Sequence, residues 1–363
     1  MTGTVVEPLV VYVPYPALHS AIDRDRLAAI HPRVEVLTVP FEIDHGFRVL
    51  REQRPWSPEV RGQEPPLSEA QADAFGRAQA VLCLDVPMDL PPRAPNLRWI
   101  QAIGSGVGQF VSAGIAGTDI VLTNGAGIGS PPIAEWVLGR VLQIIKNLPL
   151  HDANAREHLW HTAHGGQLAR RTMAIVGLGA IGREVAVRAR AFGVHLIGIR
   201  RSATPGATDP AVDELLGPDS LLDVLGRSDV VVLTAPGTDD NRDLFDRAAF
   251  AAMKPGSIFV NVARGMLVDE PALIAALESG HLSAAATDVA RREPLPADDP
   301  LWSAPNLYIS PHSSAGGEGY SERAFDLFCR NLSRFVNGEP MLNVVDIATY
   351  MAEQRAKDPT GSG

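Results

Sequence analysis

Short apolar runs recur along the chain at residues 9–13, 34–39, 80–84, 97–103 and 120–122, with longer polar stretches of helical character between them. Runs of that length predict buried strands, and strands alternating with helices predict a parallel sheet covered by helices. The same rhythm returns at 173–176, 194–199, 230–233, 258–262, 284–287 and 307–310, which predicts a second set of βαβ units. Helix punctuation lies between these runs, as in Glu270-Pro271 before and Gly280 after the stretch 272–279. The expected fold class is therefore α/β, with two doubly wound parallel-sheet domains.

Three segments depart from the alternation. Residues 133–148 confine Glu135, Gly139, Gln143 and Lys146 to one narrow stripe, which predicts a helix buried on most sides, with Pro131 and Pro132 in its first turn. Residues 321–337 space Phe325, Phe328, Leu332 and Phe335 as a helix would. The uncharged stretch 99–118 is broken by Gly104, Gly106 and Gly108, so it reads as a strand, a glycine loop and a helix, not as a membrane span. The tail after Asp358 is expected to fray.

Composition narrows the function classes. The chain has 363 residues, enough for two domains, and 45% of them are hydrophobic against 20% charged, the balance of a folded protein. A net charge of -10 argues against nucleic acid and against anionic membrane as partners. Cys83 and Cys329 have no metal-ligand or disulfide spacing, and the acidic start from Met1 lacks a basic stretch before its apolar run. A cytoplasmic, reducing setting is the expectation. His158, His161 and His164 have no carboxylate or cysteine beside them, so no metal site is expected.

The densest chemistry follows the strand at 173–176. Gly177-Leu178-Gly179-Ala180-Ile181-Gly182 leads into a helix-like run at 183–192. In that order, the first glycine allows a tight turn, the second admits a pyrophosphate, and the third lets helix and strand pack closely, with the helix N-terminus attracting the anion. At the end of the next strand, where an acid would accept from the ribose 2′-hydroxyl of NAD, stand Arg200, Arg201 and Ser202. Guanidinium groups there suit a 2′-phosphate, so NADP(H) is the expected cofactor and NAD(H) the lesser one. Seven arginines against Glu184 alone, from 170 to 206, concentrate positive charge around this position. Three later strand ends carry Arg264, Asp288 with Glu293 beyond it, and His312. A nicotinamide enzyme needs a cation for substrate charge and an acid/base for the alcohol proton, and histidine beside a carboxylate suits the second role near neutral pH.

With these residues in view, the sequence resembles the D-isomer-specific 2-hydroxyacid dehydrogenases. The resemblance runs from about residue 80 to 345 and rests on the successive blocks VGLGAIG, NVARGMLVDE, TDVARREPLPADDPLW and SPHSSA. It implies a Rossmann-type nucleotide domain inserted in a flavodoxin-like substrate domain, with boundaries at 1–128, 129–312 and 313–363. It also implies that Arg264 binds the substrate carboxylate, that His312 is the acid/base and that Glu293 orients it. Ser105 and Gly106 would add backbone donors to that carboxylate. Pro236, Ala263 and Asp288 would join the glycine motif and Arg200-Arg201-Ser202 in the cofactor site, with Asp288 toward the nicotinamide. The implied reaction is reduction of a small 2-oxo acid such as glyoxylate or hydroxypyruvate to a D-2-hydroxy acid, in a cleft that closes to exclude water. The helix at 133–148 would lie in a homodimer interface.

The sequence departs from the family pattern at Gly108, where aspartate is usual, at Ala180 for arginine, at Arg170 for glycine and at Ala290 for an aromatic residue. Phosphite and D-3-phosphoglycerate dehydrogenases share the triad, and a dinucleotide-sensing binding protein could share the fold. Glu293 speaks against a formate type, in which glutamine takes the carboxylate's place. The absence of a regulatory domain after Asp346 speaks against the long, regulated phosphoglycerate type.

Overall fold

The computed structural model describes residues 7–357, so the extreme N-terminus and the tail after Asp358 lie outside the described residues. The chain divides into two compact units, residues 1–128 with 318–363, and residues 129–317. The return to the first unit comes at Glu318 and not at the expected 313. Ser313 and Ser314 remain with the second unit because both hydrogen-bond Asp288, and the Ala315 side chain packs where a Cβ on Gly129 would stand.

In the first unit, strands β1 (Leu9–Tyr12), β2 (Val34–Leu37), β3 (Ala80–Cys83), β4 (Trp99–Ala102) and β5 (Val121–Thr123) pair in parallel in the spatial order β2-β1-β3-β4-β5. This is the order of a flavodoxin-like doubly wound sheet. Alternate side chains enter separate apolar layers, with Val81, Cys83 and Ile100 on one face and Ala80, Leu82 and Trp99 on the other. The helix Tyr320–Asn337 covers the second face, and its Phe328 stacks on Trp99 with ring centroids 4.9 Å apart.

A buried polar network fastens this returning helix to the sheet. Asn331, fully buried, donates from Nδ2 to Gln101 Oε1 at 2.8 Å and to the Leu342 carbonyl at 3.0 Å, and its Oδ1 accepts the Leu342 amide at 2.7 Å. Thr123 Oγ1 donates to the same Gln101 oxygen and accepts from Trp99 Nε1. The Leu342 tie is followed by an antiparallel strand against β5, Val344–Val345, and by a helix, Ile347–Lys357. Neither element is predicted by the pattern, the strand because two residues carry no period.

The second unit holds β6 (Thr172–Val176), β7 (His195–Ile199), β8 (Glu214–Leu216), β9 (Val230–Leu233), β10 (Ser257–Asn261), β11 (Leu282–Thr287) and β12 (Leu307–Ile309). All are parallel, in the order β8-β7-β6-β9-β10-β11-β12, which reverses direction between β6 and β9. Ligands of doubly wound sheets bind beyond the strand ends at such a reversal. Met173 and Ile175 face one apolar layer, Ala174 and Val176 the other, so both faces are covered. Edge strand β8 is absent from the predicted set, being three residues long and opening on Glu214.

The helix expected at 133–148 is Ser130–Ile145. It ends before Asn147, which adopts φ 54°, and Pro149 then fits the first turn of a new helix, Leu148–Arg156. Within one chain it is not buried on most sides. Ile133, Val137 and Val141 are buried, whereas Trp136, Leu142 and Ile144 are only partly covered.

Asn331→Ala should cost the first unit about 3 kcal/mol, because it removes one of the two donors to the Gln101 oxygen and leaves both Leu342 polar groups without their partner. Urea unfolding followed by tryptophan fluorescence checks this, and an unchanged midpoint would count against the network.

Candidate functional site

Strand register lines up the site residues of the second unit. Ile199, Val176, Leu233, Asn261, Thr287 and Ile309 pair in sequence across the sheet, so the residues just beyond them form one row at the carboxyl ends. Gly177, Arg200, Asp288 and Ser310 are in that row, Arg264 is the third residue past β10, and His312 the third past β12.

Gly177 has φ 106°, and a Cβ on it would sit 2.4 Å from the Ala235 amide nitrogen, while one on Gly182 would sit 2.5 Å from the Gly177 carbonyl. Only glycine permits those approaches. Gly179 differs, since a Cβ there would meet nothing within 4 Å. The first backbone bond of the helix Ala180–Arg190 runs from Arg183 N–H to the Gly179 carbonyl at 3.0 Å, and the amides of Ala180, Ile181 and Gly182 have no partner among the described residues. Open space in front of unpaired amides at a helix N-terminus fits a dinucleotide pyrophosphate.

At the end of β7, Arg201 and Ser202 are exposed and Arg200 is half-buried. Arg200 Nη1 lies 3.4 Å from Asp209 Oδ2, and Arg183 makes a forked pair with the same carboxylate at 2.8 and 2.5 Å. Elsewhere in the arginine-rich segment, Arg190 pairs with Asp213 and Arg188 with Glu184 and Glu135. Much of the expected positive charge is thus cancelled by acids folded against it. Pro236 is exposed after β9, its carbonyl accepting from Asn241 Nδ2 at 2.8 Å, and Ala263 is buried, its carbonyl accepting from Arg264 Nη1 at 2.7 Å.

Glu293 and His312 are brought together. His312 Nδ1 donates to Glu293 Oε2 at 2.7 Å, and Glu293 Oε1 accepts the Ala290 amide at 3.0 Å. The bond to Glu293 raises the His312 pKa above its usual value, against the opposing effect of burial and the Arg264 charge. Burial pushes the Glu293 pKa up, but the bonds from His312 and Ala290, with the charges of His312 and Arg264, carry it below the ordinary carboxylate value. Arg264 is exposed and hydrogen-bonds neither of them, yet both feel its charge. Asn261 fixes its loop, accepting the Ala263 amide at 3.0 Å and donating to the Arg264 carbonyl at 3.3 Å.

Asp288 plays a part that the sequence does not disclose. Its buried carboxylate accepts from the amides of Ser313 and Ser314 at 2.9 and 3.0 Å and from the hydroxyls of Ser310 and Ser314. Four donors fill the roughly four lone-pair positions of a carboxylate. The carboxylate therefore holds the His312 loop, whereas the family resemblance implies that it faces the nicotinamide. Gly265, in the NVARG block, is equally silent in the sequence, and a Cβ on it would fall 2.0 Å from the Ala290 carbonyl carbon. That contact brings the Arg264 loop against the segment that carries Glu293.

Ser105 and Gly106 lie in the first unit, both exposed in the loop after β4. Their amides have no partner among the described residues. Two departures from the family pattern find local reasons or costs. Gly108 is overlain by the helix His45–Gln53, so that a Cβ there would be 3.2 Å from Glu52 Cγ, and Arg170 occupies φ 66°, where glycine is favoured. Nothing in the structure explains Ala180 or Ala290.

The family model described as D-isomer specific 2-hydroxyacid dehydrogenase, NAD binding domain, matches residues 138–314. The glyoxylate/hydroxypyruvate reductase B of Citrobacter koseri is 32% identical over 262 residues, which are 70% of this chain and 80% of that protein. The chain belongs to the D-isomer-specific 2-hydroxyacid dehydrogenase family. Another relative, the D-3-phosphoglycerate dehydrogenase of Methanocaldococcus jannaschii, is 31% identical over 274 residues, 75% of this chain and 52% of that protein, so the chain spans about half its length. A solved D-isomer specific 2-hydroxyacid dehydrogenase of Xanthobacter autotrophicus, in complex with NADPH and MES, aligns with a TM-score of 0.68 and 29% identity over 94% of this chain and 99% of that one. Both parallel-sheet units accord with this family's fold.

Because the pair with Glu293 raises the His312 pKa, the imidazolium persists to higher pH than a free histidine would. A step that needs protonated His312 should therefore run at full rate at low pH and decline as pH rises through the raised pKa. Glu293→Gln should move that decline to lower pH in a kcat/KM profile, and an unmoved profile would remove Glu293 from this role.

Proposed function

We propose that the chain is an oxidoreductase that reduces a small 2-oxo acid, of the glyoxylate or hydroxypyruvate kind, to a D-2-hydroxy acid. The Glu293–His312 hydrogen bond at 2.7 Å, formed within the electrostatic reach of Arg264, carries this reading. Reduced nicotinamide, held by the 177–182 loop, supplies the hydride for the carbonyl carbon when bound. Protonated His312 gives its Nε2 proton to the carbonyl oxygen, Glu293 keeps the ring charged and fixed through Nδ1, and Arg264 binds the carboxylate and steadies the developing negative charge.

NADP(H) is the proposed cofactor, with NAD(H) the weaker one, since arginines stand where an acid would select NAD. The relative from Xanthobacter that holds NADPH supports that choice. A phosphorylated 2-oxo acid is the second reading, favoured by the phosphoglycerate dehydrogenase among the relatives.

A homodimer is proposed from the half-covered residues of the helix Ser130–Ile145 and from Leu148, Leu150, Leu159 and Trp160, all exposed along the following stretch. Monomers rarely leave so much apolar surface uncovered, and a two-fold contact covers it with a second copy of itself. A cytoplasmic setting is proposed from the two buried free thiols. No helix among the described residues is long and apolar enough to cross a membrane.

Loss of NADPH absorbance with glyoxylate, hydroxypyruvate and 3-phosphohydroxypyruvate, repeated with NADH, tests the reaction and ranks substrates and cofactors. His312→Ala should lower kcat by roughly a hundredfold or more and leave cofactor binding in place; unchanged turnover would exclude the mechanism. Light scattering should give twice the chain mass, and a monomer would overturn the proposed interface.

A further inference from the structure

The cation count around Arg200 is set by a residue on another element. Asp209 follows β7 by ten residues, its side chain is 5% exposed, and both of its oxygens are engaged. Oδ1 accepts from Arg183 Nη1 and from the Ala211 amide, and Oδ2 accepts from Arg183 Nη2 and, at a longer 3.4 Å, from Arg200 Nη1. Bonding to Arg183, then to the Ala211 amide, holds this carboxyl below its usual range despite burial, so it stays charged. Arg200 has meanwhile a buried Nε with no partner. Arg183, from the first turn of the helix Ala180–Arg190, thus takes the short forked pair, and Arg200 keeps only the longer contact, through Nη1.

A buried carboxylate takes whatever cation is in reach, because leaving it unpaired is costly. Without Arg183, the nearest remaining guanidinium is Arg200, which would swing into the fork and become a neutral pair. We propose that Arg183 determines cofactor choice by occupying Asp209, so that the Arg200 guanidinium remains free to bind the ribose 2′-phosphate. This rests on the reading that the chain binds NADP(H). Arg183 is then a positioning residue acting through Arg200, and Asp209 a carboxylate whose charge must be covered for NADP to be preferred. The sequence offers no hint of it, since Arg183 and Asp209 stand 26 positions apart.

Dissociation constants of the full chain for NADP+ and NAD+, by isothermal titration, test this without any turnover. The wild-type ratio of the two reports the NADP reading, and a chain that binds NAD+ as tightly as NADP+ would overturn both that reading and this inference. Given a wild-type preference, Arg183→Met should weaken NADP+ about tenfold and shift NAD+ by no more than about twofold, the difference of a single lost charge-assisted contact. The double variant Arg183→Met with Asp209→Asn removes the competing carboxylate and should bring NADP+ back to within about threefold of wild type. Retained NAD+ binding shows that each variant is folded. Equal weakening of both cofactors in Arg183→Met, or no recovery in the double variant, would show a structural role only and overturn the inference.

Discussion

A buried carboxylate must be met by hydrogen bonds, and in the second unit that requirement falls on Asp288. Its donors come from one short segment, Ser310 to Ser314, which therefore has to wrap around the end of β11. The wrapping gives His312 a φ of 51°, and the same turn is closed by the His312 amide donating to the Asp288 carbonyl at 2.8 Å. A non-glycine residue stays in that region only when its surroundings over-determine it. Asp288 supplies the surroundings, and the direction of the imidazole toward Glu293 follows. Removing the carboxylate would release the turn before it altered any chemistry.

The other half of the arrangement depends on close approach of backbones. Gly265 lets the chain after β10 lie against Ala290, and Asn261 ties that chain to the strand it leaves. Arg264 and Glu293 thus belong to loops whose separation is fixed by backbone contact, with no direct bond between their side chains. His312 is held charged by Glu293 and opposed by Arg264, so its acidity is a compromise between the partner that holds it and a neighbouring cation. Such a compromise suits a group that has to give up a proton near neutral pH.

What the sequence disclosed follows from how far each signal extends along the chain. Apolar runs of four or more residues became strands, and the glycine motif lies in its expected turn because its cause is local sterics between neighbouring elements. The short strands Glu214–Leu216 and Val344–Val345 went unseen, as did the end of the helix Ser130–Ile145, which depends on the backbone of Asn147. The candidate trio Arg264, Glu293 and His312 was legible as sequence blocks, but the groups that hold it in place were not. Asp288 was read as a cofactor contact because a carboxylate at a strand end has no sequence mark that tells whether serines beyond the next strand will consume it. The tie from Asn331 to Gln101 spans 230 positions, and no periodicity reports such a pairing.

The charge pattern shows the same limit in a form that bears on function. Seven arginines near the nucleotide loop suggest a basic surface, yet Arg183, Arg188 and Arg190 each meet an acid from the loop at 209–213 or from a neighbouring helix. The exposed pairs among these, those of Arg188 and Arg190, add little to stability, with a median of about 0–1 kcal/mol. Their effect is on where unbalanced charge remains. Arg201 has no ion-pair partner among the described residues, and Arg200 shares one with Arg183, so uncompensated charge remains at the end of β7. A chain that carries a net -10 can therefore present a small cationic site for an anionic ligand without becoming a general binder of anions.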